Sequence, residues 1–416
     1  MATARAPARR GRAGTAPALA LGVGGTALAL LGVAVGAGHP EASPLSPDHV
    51  GGDSGYAWLY LGALAGAFAC YATGLAVLAR RGGRLGSVVA VALCVQAAPL
   101  AGPVLLSTDV YTYWAYGRVA AVHDANPYAE APERFPDDPA YARMGADWRD
   151  TTTVYGPGFT LASEAHALAV GDSPNAAAWA YRVLAFVAML ALVGLSARLS
   201  ARPALAAAFV GWNPLLAVHF AGGGHNDAWM MALVLGALAC SASGRGRLAG
   251  AAWAAAIAIK WIPAVFLVLR ALEARATRRS VRHAGFALAA AVLAGAASWR
   301  YGADWLRAVV PLARNLERQA VYSIPHRVSE LGVPEDVAAG IFAGLFALAL
   351  LWLLREAWRG RARLGLAAGL LLVATPWLVP WYAVWAVPLA AVEEDRSARV
   401  LALALSAYLL RDAVPL

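Results

Sequence analysis

The sequence predicts an all-α polytopic membrane protein, and three observations carry that prediction. Of its 416 residues 60% are hydrophobic and 14% charged, with a mean hydropathy of +0.56, whereas soluble domains carry roughly 25% charged residues. The apolar residues gather in runs of roughly 20, the length a helix needs to cross about 30 Å of hydrocarbon. Short arginine clusters separate the runs, the pattern of loops that face the cytoplasm. The chain therefore reads as a single integral membrane domain, 1–416, of about 11–13 transmembrane or re-entrant helices. Its formal charge of +9 is an arginine charge, since Lys260 is the only lysine. Because that charge falls between apolar runs, nucleic acid is excluded as a partner and membrane lipid is expected instead.

Taken in order, the runs fall at 17–38, 56–79, 86–106, 177–197, 203–221, 226–243, 281–299, 336–354, 364–379, 382–392 and 398–411. Arg5, Arg9, Arg10 and Arg12 precede the first, whose apolar stretch is long for a cleaved leader, so it reads as an uncleaved helix with a cytoplasmic N-terminus. One topology puts these arginines on the same side as Arg80, Arg81, Arg84, Arg198, Arg202, Arg245, Arg247, the clusters at 270–282 and 355–363, Arg396 and Arg399. The run 158–170, which contains Glu164 and His166, then lies on or dips into the outer face without crossing. By the same count 248–272 begins and ends inside, as two short helices broken at Lys260-Trp261-Ile262-Pro263, where proline cannot continue the hydrogen-bond ladder. Re-entrant backbone of this kind survives only inside protein or against a watery cavity.

Two polar regions remain outside, at 107–156 and 300–336. The first is rich in Asp, Tyr, Trp and Pro, a composition for ordered segments on the membrane surface. The second carries Arg300, Arg307, Arg314, Arg318, His326 and Arg327 against the positive-inside pattern, which points to an anionic ligand. Cys70, Cys94 and Cys240 lie inside apolar runs without CxxC spacing, so neither a disulfide framework nor a zinc site is indicated. No metal ligand set and no cofactor motif appears, nor does a Walker loop, a zincin motif or a GxSxG elbow.

The residues suited to chemistry lie at the ends of runs. Asp109 follows a span in Ser107-Thr108-Asp109-Val110-Tyr111-Thr112-Tyr113-Trp114, and helical spacing groups it with Thr112, Tyr113 and Tyr116. Partial burial is expected to raise its pKa and make it a general base for a sugar hydroxyl; the same residues also suit a helix N-cap and an interfacial aromatic belt. His225-Asn226-Asp227 follows three glycines, Gly222 to Gly224, and would bind hydroxyls or an anion, with helix capping as the alternative. Lys260 is an intramembrane cation, costing roughly 2.5–3.5 kcal/mol on insertion scales, so it needs a partner, and phosphate is a natural one. The topology sets it deep in the membrane, reaching from the cytoplasmic side beneath any outer cavity. Arg182 and His219 are weaker instances of the same argument, with a polar helix-packing contact as the alternative, and that alternative suits His219 better. Thr375-Pro376-Trp377-Leu378-Val379-Pro380-Trp381-Tyr382 breaks two helices and offers aromatic faces to a sugar ring or to lipid.

Taken together, Ser-Thr-Asp109-Val-Tyr111, Asn126-Pro127-Tyr128, Val-Tyr155-Gly156-Pro157, Trp212-Asn213-Pro214, Gly-Gly-Gly-His225-Asn226-Asp227 and Ile-Lys260-Trp-Ile-Pro263 resemble one family in order and spacing. It is the actinobacterial polyprenol-phosphate-mannose-dependent α-(1→6)-mannosyltransferases of the lipomannan pathway, which belong to the GT-C class. The resemblance runs from about residue 100 to 270 and is weaker from the Pro-Trp-Tyr segment onward. It implies a mannosyl transfer from a polyprenyl-phosphate donor to a glycan or glycolipid acceptor on the extracytoplasmic face. An acidic residue of the first outer loop serves as base in that class, and Asp109 is the matching position. This chain has Asp109-Val110-Tyr111 where other members of the class carry two acidic residues. Transfer by inversion passes through an oxocarbenium-like state, and the leaving phosphate needs cations in place of a general acid. Arg118, His225, Arg314, Arg318 and His326 are the candidates for that role, with Tyr111, Tyr113, Tyr155, Asn226, Asp227, Lys260, Trp381 and Tyr382 as further substrate contacts. The alternatives are a lipid-linked sugar transporter or flippase, and the same chemistry with arabinofuranose or glucose.

The topology makes a direct prediction. In intact cells a membrane-impermeant maleimide labels an Asp137→Cys variant and leaves Arg279→Cys unlabelled; labelling of position 279 first inverts the orientation.

Overall fold

The computed structural model describes residues 15–38, 45, 54–278, 283–311 and 318–416. The Arg5 to Arg12 cluster, Arg279 and Arg314 lie outside the described residues. Among those described, the chain is helical with no strand. The helices are α1 (Thr15–Gly38), α2 (Ser54–Arg81), α3 (Leu85–Ala97), α4 (Asp109–Ala121), α5 (Pro157–Val170), α6 (Pro174–Leu199), α7 (Pro203–Gly211), α8 (Pro214–Ala217) and α9 (Asp227–Ala242). They continue as α10 (Gly246–Ile259), α11 (Pro263–Ala276), α12 (His283–Tyr301), α13 (Ile324–Ser329), α14 (Glu335–Trp358), α15 (Leu364–Ala374), α16 (Ala383–Val392) and α17 (Arg396–Tyr408).

Four of these, α1, α2, α6 and α14, are long and apolar enough to cross a membrane alone. α7 and the segment Pro214–Gly222, which contains α8, reach that length together but are bent by 52° at their break, the form of a broken span or a re-entrant loop. The remaining apolar segments include helices of 10–17 residues, too short to span about 30 Å unaided. Several expected runs are therefore shortened or broken. The run 86–106 leaves the α-helix at Ala97, makes one 3-10 turn over Ala98–Ala101 and then unwinds. The run 364–379 stops at Ala374, because Pro376 and Pro380 remove the donors a continuing helix would use. The run 248–272 is broken at Lys260, as its proline predicts, with α11 starting on Pro263.

At the centre stand α7, α9 and α16; the C-terminal two thirds of α7 and nearly every side chain of α16 are buried. The arginine clusters meet at one end of the bundle. Arg198 donates to Ser243, Arg202 to the Ala79 carbonyl and Arg363 to Asp395, while Glu273 accepts from the Ala362 amide. The opposite end gathers the start of α4, the loop 122–156 and the breaks before α9, after α10 and after α15. There the Gly156 amide donates to the Ile259 carbonyl and Trp148 packs edge-on against Trp377.

Two buried features fix that end. Arg182 of α6 donates to three carbonyls, Pro99 and Gly102 at 2.7 Å and Ala221 at 2.9 Å, tying the unwound end of α3 to the turn before α9. It is a packing contact, as its sequence context fits. Gly117 lets α4 touch α5, since a Cβ there would strike the backbone of Ser163. A Gly117→Ala substitution therefore pushes α4 off α5. The expected result is a melting temperature in detergent lower by several degrees, consistent with a loss of roughly 1–3 kcal/mol from overpacking; unchanged melting would contradict the close approach.

Candidate active site

Asp109 begins α4, where the chain leaves the unwound end of α3. Its backbone amide donates to Ser107 Oγ at 3.2 Å, and Thr108 at the N-cap makes no side-chain cap bond, so the Asp109 carboxylate takes no part in capping and is left for other partners. Asp109 Oδ2 accepts from the Tyr113 hydroxyl, one helical turn on, at 3.2 Å, and lies 3.2 Å from His225 Nδ1. His225 reaches it because Gly224 turns the chain at φ +69°, where a Cβ would strike Val110, the neighbour of Asp109. Trp381 stacks on the imidazole at 3.8 Å between ring centroids and 13° between planes. The imidazole is fully buried, so one face and one nitrogen are fixed by the aromatic and the carboxylate.

The electrostatics of Asp109 correct the expectation of a raised pKa. Burial by itself pushes the carboxyl up, but the hydrogen bond and charge of His225, the charge of Lys260 and the Tyr113 hydroxyl outweigh it. The net effect holds Asp109 below the ordinary carboxylate range, so it is ionised at neutral pH. Burial and the neighbouring charge of Asp109 keep the Tyr113 phenol protonated, well above its usual range, which preserves it as a donor.

Lys260 is the second centre. It stands at the break between α10 and α11, and its ammonium donates to both oxygens of Asp227, at 2.8 and 2.9 Å. Asp227, the first residue of α9, is fully buried and also accepts from Trp385 Nε1 at 2.6 Å. The Tyr382 ring lies 4.8 Å from the ammonium, and Trp385 and Tyr155 lie 5.7 and 6.0 Å away. Cation–π attraction and the ion pair together offset the removal of this charge from water. The break thus reaches the Asp109 end of the bundle, and Lys260 forms part of a cavity wall, whereas the sequence set it beneath one.

That cavity holds about 230 Å³; a pocket of about 150 Å³ accepts a benzene ring, so a six-membered sugar ring fits. Asp109 and Lys260 face it, with Tyr155 and Trp148 from the loop, Trp261 and Ile262 from the break, and Leu371, Thr375, Trp377, Trp381, Tyr382 and Trp385 from α15 onward. Its walls are mainly aromatic and its two polar poles are an ionised carboxylate and a paired ammonium.

Other predicted residues fall elsewhere. Arg118 points away and is buried against Asp138 at 2.8 Å, Asp172 at 2.7 Å and the Gly171 carbonyl. It holds the loop to α4 and is not a cation for the cavity. His326 pairs with Glu335 at 3.2 Å, beside α14. Tyr111 is buried two residues from Asp109 with the Arg143 guanidinium 5.9 Å from its ring, away from the cavity wall. Arg318 is not part of this cavity wall; it lies 5.4 Å from the Trp148 ring, donates to the Asp147 carbonyl and lines a neighbouring pocket with Arg307 and Asp150. Asn226 is fully buried, and neither of its side-chain polar atoms has a partner among the described residues, so it makes no side-chain cap for α9. Trp385 and His219 were not singled out for the site. Trp385 sits in an apolar run that gives no polar signal. His219 occupies a π-turn, Val218–Gly222, with its ring 6.0 Å from His225 and 5.8 Å from Trp381; Gly222-Gly223-Gly224 immediately after it was the available signal.

Fold and site together define a polytopic membrane protein whose broken helices enclose an aromatic cavity beside a charged, hydrogen-bonded carboxylate. Residues 11–275 match the N-terminal domain of the alpha-(1->6)-mannopyranosyltransferase family and residues 330–415 the MptB C-terminal domain; the chain belongs to this family. It is 29% identical to alpha-(1->6)-mannopyranosyltransferase A of Corynebacterium glutamicum over 227 residues, 48% of this chain and 46% of that protein. It is 28% identical to the protein of the same name from Mycobacterium tuberculosis over 338 residues, 69% of this chain and 61% of that one. The chain thus spans about half to three fifths of the length of these relatives. No solved structure matches.

The ion pair at the break yields a stability prediction. Asp227→Asn leaves the Lys260 charge, 16% exposed, without its counter-ion, and breaking a buried pair costs on the order of 3 kcal/mol. The expected outcome is a clear drop in the melting temperature of the purified protein. Melting within a degree of the unmodified protein would show that the pair does not compensate the buried charge.

Proposed function

We propose that the protein transfers a mannosyl residue from a polyprenyl-phosphate donor to a glycan or glycolipid acceptor, by inversion, with Asp109 as base. The family supports the sugar, and the observation that carries the mechanism is the ionised Asp109 carboxylate on an aromatic cavity sized for one sugar ring. Both hydrogen bonds to Asp109 fall on Oδ2, leaving Oδ1 for the acceptor. The acceptor oxygen bonds to the anomeric carbon as the carbon–phosphate-oxygen bond breaks. The hydroxyl proton goes to Asp109, and polyprenyl phosphate leaves with the bonding electrons. A leaving phosphate needs no general acid, so positive charge beside the cavity suffices; we assign that part to Arg318, 5.4 Å from the Trp148 ring on the cavity wall.

In this reading the Asp109 end is extracytoplasmic. The arginine-rich end then faces the cytoplasm, in keeping with the positive-inside rule. Aromatic faces of Trp381 and Trp377 pack on the sugar ring, and the polyprenyl chain runs into the surrounding bilayer.

The test is transfer of labelled mannose from synthetic polyprenyl phosphate-mannose by the purified protein. Asp109→Asn should lower kcat by roughly 100- to 10,000-fold, the usual contribution of a positioned base, and product formation at the unmodified rate would remove the assignment. The pH profile supplies a second check. Asp109 is held below the usual carboxylate range, so activity is retained as pH falls through that range and is lost only beneath it. A His225→Gln substitution removes the largest influence that lowers this pKa, and the acid limb of kcat/KM moves upward. An unmoved limb would separate His225 from the base.

A further inference from the structure

Among the described residues, those of the cavity wall that carry charge are Asp109 and Lys260, with Asp227 and His225 immediately behind them. Lys260 is already balanced by Asp227, and Asp109 contributes a further negative charge. The four groups sum to −1 with His225 neutral and to zero with it charged, from the arithmetic −1, −1, +1 and 0 or +1. Neither sum attracts a phosphate into a cavity of low dielectric. Yet Lys260 is not spent. An ammonium has three N–H donors; two go to the Asp227 oxygens, and Asp227 is fully buried whereas Lys260 remains 16% exposed on the cavity wall. The third donor therefore belongs to whatever fills the cavity, and that ligand is neutral at this point.

On the reading that a phosphate-linked sugar is the donor, we infer that the Lys260–Asp227 pair is a hydroxyl-reading, specificity-determining element. Lys260 donates to a hydroxyl of the sugar ring, and Asp227 with Trp385 fixes the direction of that donor. The phosphate stays outside the cavity, on the Arg318 side of Trp148. Charge balance is the reason for this division of labour. A paired ammonium keeps hydrogen-bonding capacity while losing most of its long-range pull on anions, and a site built to bond a hydroxyl strongly rejects the analogue lacking it.

The experiment measures tryptophan fluorescence of the full chain in nanodiscs, titrated with polyprenyl phosphate-mannose and with polyprenyl phosphate. Trp148, Trp261, Trp377, Trp381 and Trp385 line the cavity and report occupancy. The variant is the double substitution Lys260→Met with Asp227→Asn, which stays neutral, keeps the side-chain stem and leaves an acceptor for Trp385. The preference for the mannosylated lipid over the bare phosphate should fall about tenfold in the variant, while the Kd for polyprenyl phosphate stays within about twofold. Equal weakening of both lipids would assign Lys260 to the phosphate, and an unchanged preference would remove it from sugar recognition; either result overturns the inference. Mannosyl donors lacking one hydroxyl each give the same test without any substitution: one of them should bind the unmodified protein about tenfold more weakly, and equal binding of all contradicts the reading. Label transfer by the unmodified protein separates the two levels. Transfer with unchanged preference refutes the hydroxyl reading alone, and absence of transfer from any lipid-linked sugar refutes the proposed function and this inference with it.

Discussion

The organisation of the Asp109 end depends on one constraint: charged and polar side chains inside an apolar bundle must find partners there. Lys260, Asp227, Asp109 and His225 come from three separate helix boundaries, and each partner relieves the burial of another. Left unpaired, a buried charge there would cost several kcal/mol. Pairing them requires that the helices end where the charges lie, which is why α10 stops at Lys260, α9 starts at Asp227 and α4 starts at Asp109. Broken backbone, buried charge and cavity are thus one feature. Prolines at 263, 376 and 380 and the Gly224 turn make the breaks inexpensive in local terms, and the aromatic side chains fill the space the broken helices leave.

The same constraint sets the character of the carboxylate. In a bare apolar pocket Asp109 would be protonated and inert as a base at neutral pH. With an imidazole, a phenol and a nearby ammonium around it, the carboxylate stays charged. Its basicity is correspondingly modest, so in the proposed reaction the larger contributions come from positioning and from the low-pKa leaving group. The aromatic clamp of Trp381 on His225 then acts as a support, holding the imidazole plane that directs Nδ1 at Asp109.

Much of this was legible in the sequence, and the part that was not has a physical reason. A lone lysine before a proline inside an apolar run announces both a break and a buried partner, and three glycines before His-Asn-Asp announce a turn loaded with polar groups. The membrane class, the break at 260–263 and the gathering of Asp109, His225 and Lys260 into motifs follow from such local conflicts between residue type and surroundings. What depends on distant pairing stays hidden. Arg118 looks like a free outer cation until Asp138, twenty residues on, captures it. The direction of the Asp109 pKa depends on whether burial or His225 dominates, and only distances decide that. Trp385 lies in a featureless apolar run, and nothing local marks its indole as the donor that completes Asp227.

The most direct measurement is a structure of the protein with polyprenyl phosphate-mannose bound. The account predicts the sugar ring inside the aromatic cavity against Trp381, with Asp109 within about 3 Å of the acceptor-oxygen position and the phosphate outside, beside Arg318. A phosphate lodged in the cavity on Lys260, or a sugar ring beyond reach of Asp109, would contradict it.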